Sequence, residues 1–423
     1  MTLLLACLAD DFTGATDALE SLTLAGLQTV MFAEVPSPAS VAAIPGLQAV
    51  VVASPARSWN REQTEQVRPL LESLRDLQPR HVVYKVCSTF DSSPHRGNIG
   101  RVIEIGAEVF GPTPVPIVAA APALGRYMVF GNLFAAGSVG GEGEVFRLDR
   151  HPVASRHPAS PMAESDLRRH LTLQTERSIG LFDVRHLSLP TTERRRAWKA
   201  AGEGHAALLC DLLTTEQQAE LGAMLDASAD GARPRFAIGS SGATSSLGAF
   251  WGAIGLCSPR ADWPRVKRSV PLLVVSGSCS TVTGRQIQTA LAAGWISVDA
   301  FSPTATADMT RTLQSGRNGI LHTCIGPDDP RRSRELPDMG TRLGEIASDI
   351  LAQAPKVKRI VFAGGDTSSH ALAQLRMTTF RMITRIAPGA PLCEANDFEI
   401  VCKGGQAGPD DFFLLAAGDS SSH

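Results

Sequence analysis

Residues 3–17 read LLLACLADDFTGATD, and this stretch decides the fold class of the chain. A mostly apolar run ends in two adjacent carboxylates, Asp10 and Asp11. Thr13, Gly14 and Ala15 follow, small enough to open a helix, and Asp17 adds a third acid. Open α/β sheets place their ligand chemistry where an apolar strand delivers side chains to a turn at a helix start. Capping that helix would need one carboxylate. Two adjacent ones favour a site.

Outward from this stretch, short apolar runs alternate with longer polar-periodic segments. The runs at 29–33, 49–53, 81–86 and 116–121 read as strands, and the segments 14–24, 61–77 and 99–109 as helices, with Pro69 implying a kink or break in the second. That alternation predicts a parallel sheet wrapped by helices. Right-handed crossovers then gather the loops after the strands at one sheet edge: Asp10 and Asp11, SPARS (54–58) and CSTFDSSP (87–94). From 130 to 161 the alternation fails in a Gly-, His- and Pro-rich stretch holding His151 and His157. Loops of that length are more often functional than idle, but this histidine spacing is no metal signature.

DASADGARPR (226–235) is the best linker in the chain, and 423 residues suit two domains, here placed at 1–230 and 235–423. The second half repeats the α/β pattern. Strands are expected at 236–238, 272–276, 295–299, 319–323, 359–363, 382–386 and 400–402, with helices near 245–251, 283–293, 340–354 and 369–375. The fold class is therefore α/β: two Rossmann-like domains with mostly parallel sheets and a cleft between them.

A hydrophobic content of 43% leaves ample core, and a formal net charge of −2 gives no reason to expect a nucleic-acid or anionic membrane partner. No apolar run approaches the length of a bilayer span. LLLAC resembles a lipoprotein cleavage box but lacks a basic n-region and a long enough apolar core. The eight cysteines form no C-x-x-C pair and read as buried thiols in a reducing cytoplasm.

The chemistry-bearing residues separate by half. In the first half Asp10, Asp11, Arg57, Lys85, Ser88, Thr89 and Asp91 combine acids, cations and hydroxyls, which suits a small polar anion such as a hydroxy acid. Arg57 can grip a carboxylate bidentately, and Lys85 sits in an otherwise apolar strand, VVYKVC. In the second half GSSGATSS (239–246), SGSCSTVTG (276–284), AGGDTSS (363–369) and KGGQAGPDD (403–411) are small-residue turns of the kind that aim backbone N–H groups at phosphates. None is a P-loop or a clean G-x-G-x-x-G. Asp366 can hold Mg²⁺, bond a ribose hydroxyl or cap the next helix. A phosphate-cradling domain beside a small-anion domain describes a kinase, with Asp10 or Asp11 as the base near the acceptor hydroxyl. A two-domain solute-binding protein is the alternative of a different class. A Rossmann dehydrogenase lacks its glycine fingerprint.

LADDFTGATDALE (8–20), YKVCSTFDSSPHRGNIG (84–100), HPASPMAESDL (157–167), SGSCS (276–280), AGGDTSS (363–369) and KGGQAGPDDFF (403–413) together resemble the four-carbon acid sugar kinases, in order and across nearly the whole chain. The resemblance implies a cytoplasmic kinase using ATP and Mg²⁺ on the terminal 4-hydroxyl of threonate, erythronate or a 3-oxo-tetronate. It implies an N-terminal sugar-acid domain and a C-terminal nucleotide domain, and is compatible with a homo-oligomer. By position, Thr13 joins the acid-sugar site. Ser276, Gly277, Ser278, Gly364, Gly365, Asp366, Thr367, Gly404 and Gly405 would hold ATP, with Asp366 the candidate for Mg²⁺. Asp11 is expected to face the acceptor hydroxyl and Asp10 to orient the substrate. The chain departs from the family's KSGNFG-like turn at 403–408, from GGSGL at 239–247, and from a histidine at Asn132. The turns keep their glycines, so ATP binding is expected to survive. Asn132 leaves the acid open to a branched or oxidised relative of threonate.

Overall fold

The computed structural model describes residues 3–137, 143–156, 161–227, 233–333 and 339–419, so His157 lies outside the described residues. The chain divides into two units, Met1–Arg260 and Ala261–His423.

The strands of the first unit are β1 (Leu5–Ala9), β2 (Thr29–Phe32), β3 (Ala49–Ala53), β4 (His81–Lys85), β5 (Val115–Val118), β6 (Arg126–Val129), β7 (Asn132–Ala136), β8 (Val145–Arg147), β9 (Ile179–Phe182), β10 (Ala207–Cys210) and β11 (Arg235–Gly239). The main sheet runs β2-β3-β1-β4-β11-β5-β10-β9, and every neighbouring pair is parallel. LACLA and AVVVA read as continuous apolar runs because helices cover both sheet faces. The helix Phe12–Leu24 turns Ala15, Ala18, Leu19 and Leu22 inward, an i, i+3, i+4, i+7 spacing that puts them on one face.

Three expectations are corrected here. The segment 61–77, expected as a helix kinked or broken at Pro69, is a 3₁₀ turn, Gln63–Gln66, followed by an α-helix, Val67–Asp76, so the change falls before Pro69. Pro69 falls in that helix's first turn, where its missing N–H has no intrahelical partner to lose. The irregular stretch from 130 contains antiparallel pairing, β6 with β7 and β7 with β8. Its tight turn is Phe130-Gly131, with φ of 50° and 80°, the left-handed pair of a two-residue hairpin. Phe-Gly stands where Asn-Gly would have signalled it. Buried Asp211 holds this turn by accepting the N–H groups of Phe130 and Gly131. Finally, β11 lies between β4 and β5, so 235–253 belongs to the first unit and the division falls at Arg260, beyond the linker at 226–235.

The second unit contains β12 (Leu272–Ser276), β13 (Ile296–Asp299), β14 (Gly319–His322), β15 (Arg359–Ala363), β16 (Thr379–Ala387), β17 (Ala390–Ala395) and β18 (Phe398–Lys403). The order is β13-β14-β12-β15-β18-β17-β16, parallel as far as β18 and antiparallel beyond. Leu272, Val274, Ile320, Val361, Val401 and Phe412 meet in its core. Each such side chain contributes about 1.5–3 kcal/mol over its exposed state.

The eight cysteines are free thiols, six of them buried. Among the described residues no helix is long and apolar enough to cross a membrane.

Candidate active site

Three neighbouring strands of the first sheet, β3, β1 and β4, end together, with Ala9 in register with both Ala53 and Lys85. Asp10 and Asp11 follow β1, Arg57 follows β3 in a 3₁₀ turn, and Lys85 closes β4. The backbone locks the meeting: Asp10 N–H donates to Lys85 O at 2.9 Å, and Arg57 N–H to Asp10 O at 2.9 Å.

The side chains form one buried cluster. Arg57 Nη2 reaches Asp10 Oδ1 at 2.6 Å and Asp11 Oδ1 at 2.9 Å, while Nη1 meets Asp11 Oδ2 at 2.6 Å and Nε meets Asp10 Oδ2 at 3.2 Å. Asp11 is also the cap of helix Phe12–Leu24, accepting Gly14 N–H at 2.6 Å and the Thr13 hydroxyl at 2.6 Å. Its two oxygens therefore accept four bonds, whereas those of Asp10 accept two, both from Arg57. Gly14 is required by this packing, since a Cβ there would stand 2.5 Å from Asp11 Oδ1. Lys85, 2% exposed, pairs with Asp17 at 3.0 Å.

The electrostatics separate the two aspartates further. Burial pushes the Asp10 carboxyl up to about 6, against the pull of Arg57 and with the help of Asp11. Burial pulls Lys85 down, but Asp17, Asp10 and Asp11 outweigh it and leave its pKa above the ordinary value. A carboxylate that titrates near neutrality beside fixed cations suits proton transfer.

Ser88, Thr89 and Asp91 lie half-buried on the turn after β4, with Thr89 Oγ1 2.9 Å from Cys87 Sγ. Arg57, expected to grip a substrate carboxylate, instead holds the two aspartates. Asn132 is tied into the fold, accepting the Ser165 hydroxyl at 2.8 Å. A cavity of about 1100 Å³ lies at the opposite edge of this sheet, lined by His81, Trp198, His205 and Arg235, and shares no residue with the cluster.

In the second unit, the turns after β12, β15 and β18 are joined. Gly277 N–H donates to Ala363 O at 3.1 Å, and Gly364 N–H to Lys403 O at 3.0 Å. Ser280 caps helix Thr281–Ala292, and its hydroxyl also donates to Gly405 O. Thr283 Oγ1 donates to Gly405 O at 2.9 Å, and Gln286 Nε2 to Ala407 O at 2.9 Å. A Cβ at Gly405 would meet Ser278 Oγ at 2.8 Å, and Gly364 has φ of 118°, which favours glycine. Ser276, Gly277, Ser278, Gly364, Gly365, Gly404 and Gly405 thus share one connected set of turns. The side chains of Asp366 and Thr367 lie outside the described residues. GSSGATSS opens helix Ser241–Ala253 in the first unit, where a Cβ at Gly242 would strike Ala120 O, and takes no part here. Among the described residues no group of three or more His, Cys, Asp or Glu is arranged to hold a metal ion.

Asp17, Ser280, Thr283 and Lys403 lay inside the motifs quoted from the sequence but were given no role of their own there. Lys403 carried the same signal as Lys85, a lysine in an apolar strand: it is fully buried, donating to Thr283 Oγ1 at 3.0 Å.

Two family models match the chain: a sugar-binding N-terminal domain over residues 5–247 and a nucleotide-binding C-terminal domain over 273–413. The chain belongs to the four-carbon acid sugar kinase family. Within the family it is 37% identical to a 3-oxo-isoapionate kinase of Paraburkholderia graminis, over 97% of this chain and 93% of that one. It is 32% identical to a 3-oxo-tetronate kinase of Methylobacterium radiotolerans, over 98% of each. The crystal structure of a Salmonella typhimurium LT2 protein superposes with a TM-score of 0.78 at 24% identity, covering 98% of this chain and 99% of that one, and shows the same fold. The protein is a sugar acid kinase of α/β fold.

Proposed function

We propose that this kinase transfers the terminal phosphoryl group of ATP to the end hydroxyl of a 3-oxo sugar acid, with 3-oxo-isoapionate ahead of the 3-oxo-tetronates. One observation carries the reading: the buried Asp10–Arg57–Asp11 cluster at the strand ends, in a chain 37% identical to a 3-oxo-isoapionate kinase. The substitution of Asn132 for the family's histidine is consistent with an acid other than a plain tetronate.

Asp10 accepts the proton of the acceptor hydroxyl. Its lone pairs are the less occupied of the two, and its raised pKa leaves it ionised at neutral pH yet basic enough to take a proton. Asp11 fixes Arg57 and the helix start, the reverse of the order expected from sequence. Lys85 places a positive charge at the end of the adjoining strand, held there by Asp17. Thr13, Ser88, Thr89 and Asp91 supply hydroxyls and an acid for the sugar. The connected glycine turns at 276–280, 363–367 and 403–408 fit a triphosphate, because backbone bonds hold them together and the glycine at 404 leaves open space where a side chain would stand. Mg²⁺ needs one or two carboxylates beside the phosphates themselves, and Asp366 is the candidate. ATP supplies the phosphoryl group and Mg²⁺ neutralises its oxygens; the protein positions the acceptor and takes its proton.

The substrate order is tested by kcat/KM for 3-oxo-isoapionate against 3-oxo-tetronate under identical ATP and Mg²⁺. The proposal expects a ratio of about 10 or more, the discrimination one substrate substituent commonly gives. A ratio below one reverses the order.

A further inference from the structure

Arg126 opens β6 directly after the left-handed Gly125 and is 7% exposed. Its Nη1 donates to the carbonyls of Leu124 at 2.9 Å, Gly125 at 3.2 Å and Ala136 at 3.4 Å. Its Nε is buried and donates to nothing, and Nη2 forms no bond among the described residues. No carboxylate pairs with it there. The other arginine buried to this degree, Arg359, is answered by Glu399 at 2.6 Å. A guanidinium keeps its charge at neutral pH, and burying one without a counter-charge is costly. Burial is the main influence on Arg126 and pulls its pKa down, while Cys87 and Asp91 act on it more weakly.

Its position gives the missing counter-charge a source. Arg126 pairs with Ala121, on the chain leaving the carboxyl end of β5, and feels Cys87 and Asp91 on the turn that follows β4. That is the sheet edge carrying Asp10 and Lys85. The two unused donors, Nε and Nη2, form the side edge of the guanidinium, which matches a carboxylate with two parallel bonds. We infer that Arg126 receives the carboxylate of the acid sugar on this edge, the task Arg57 cannot perform while it holds Asp10 and Asp11. The inference rests on the sugar-acid reading above.

Binding of D-threonate and of its uncharged counterpart, threitol, to wild type, R126M and R126K tests it by calorimetry, with thermal unfolding of each protein measured alongside. Wild type is expected to prefer threonate at least 100-fold. R126M is expected to lose that preference, weakening threonate at least 50-fold while threitol changes less than threefold, with an unfolding temperature equal to or above wild type. A structural role alone would lower the unfolding temperature and weaken both ligands together. If R126M does not fold, R126K decides, with an expected loss of at least tenfold for threonate alone. Retention of the wild-type preference in the folded variant overturns the role of Arg126. Failure of wild type to bind threonate, 3-oxo-tetronate and 3-oxo-isoapionate alike overturns the sugar-acid reading itself.

Discussion

The Arg57 guanidinium and the Asp10 carboxylate meet edge to edge, Nη2 to Oδ1 at 2.6 Å and Nε to Oδ2 at 3.2 Å, with Asp10 3% exposed. The same guanidinium closes on Asp11, so one cation holds two acids that would otherwise repel at the end of β1. The asymmetry between those acids governs the predictions.

Asp10→Asn removes the proton acceptor and leaves the cap and most of the Arg57 bonds. It should lower kcat by about 10²–10⁴-fold with little change in stability. Asp11→Asn should instead destabilise the protein by about 1–2 kcal/mol, because it weakens the cap of helix Phe12–Leu24 as well as the pair with Arg57, and lower kcat of the folded fraction less than tenfold. Denaturant unfolding and steady-state rates on both variants separate the roles. Loss of turnover in Asp11→Asn at unchanged stability would restore Asp11 as the base.

The pH profile follows from burial of Asp10. Its carboxyl titrates near 6, so kcat/KM should fall on the acid side through about pH 6 and reach its plateau above. The stability sign is the opposite. The folded pKa lies above the unfolded value, so the contribution of Asp10 is full below the unfolded pKa and is lost as pH rises through about 6. Disappearance of the acid limb in the residual activity of Asp10→Asn checks the assignment.

Much of this was legible in the sequence. Continuous apolar runs fixed the central strands because both sheet faces are covered, and a lysine inside one of them marked Lys85. Antiparallel pairing at 126–147 was not legible, because Phe130-Gly131 lacks the usual turn residues and its anchor, Asp211, lies 80 positions away from Gly131. The domain boundary was misplaced because β11 returns across the linker to pair with β4 and β5, a tertiary choice that local composition does not record. The paired acids announced a site, but their unequal hydrogen bonding depends on Arg57, 46 residues beyond Asp11.

Gly14→Ala adds a methyl group 2.5 Å from Asp11 Oδ1 inside a helix that would otherwise tolerate alanine. The carboxylate or the helix start must move, and kcat/KM should fall by about 10²-fold, the effect of a small misplacement at a reacting centre. Wild-type rates in this variant would show that the position of Asp11 is not critical.

Among the described residues buried Lys403 has no carboxylate partner, and burial lowers its pKa to about 7. Its folded pKa lies below the unfolded value, so its stability contribution is present at high pH and is lost as pH falls toward 7. Phosphates bound at the neighbouring glycine turns would draw the pKa back up. ATP binding at pH 8 should therefore take up about one proton, measured by calorimetry in buffers of different ionisation enthalpy. Lys403→Met should abolish the uptake. Equal binding heats in all buffers for wild type would separate Lys403 from the nucleotide.

The central claim is tested most directly by ADP release from ATP and Mg²⁺ with and without 3-oxo-isoapionate, supported by 3-oxo-tetronate and threonate. ADP formation is expected to depend on the acid, to be matched one for one by a phosphorylated acid and to be lost in Asp10→Asn. ADP release no greater with any of these acids than without them would contradict it.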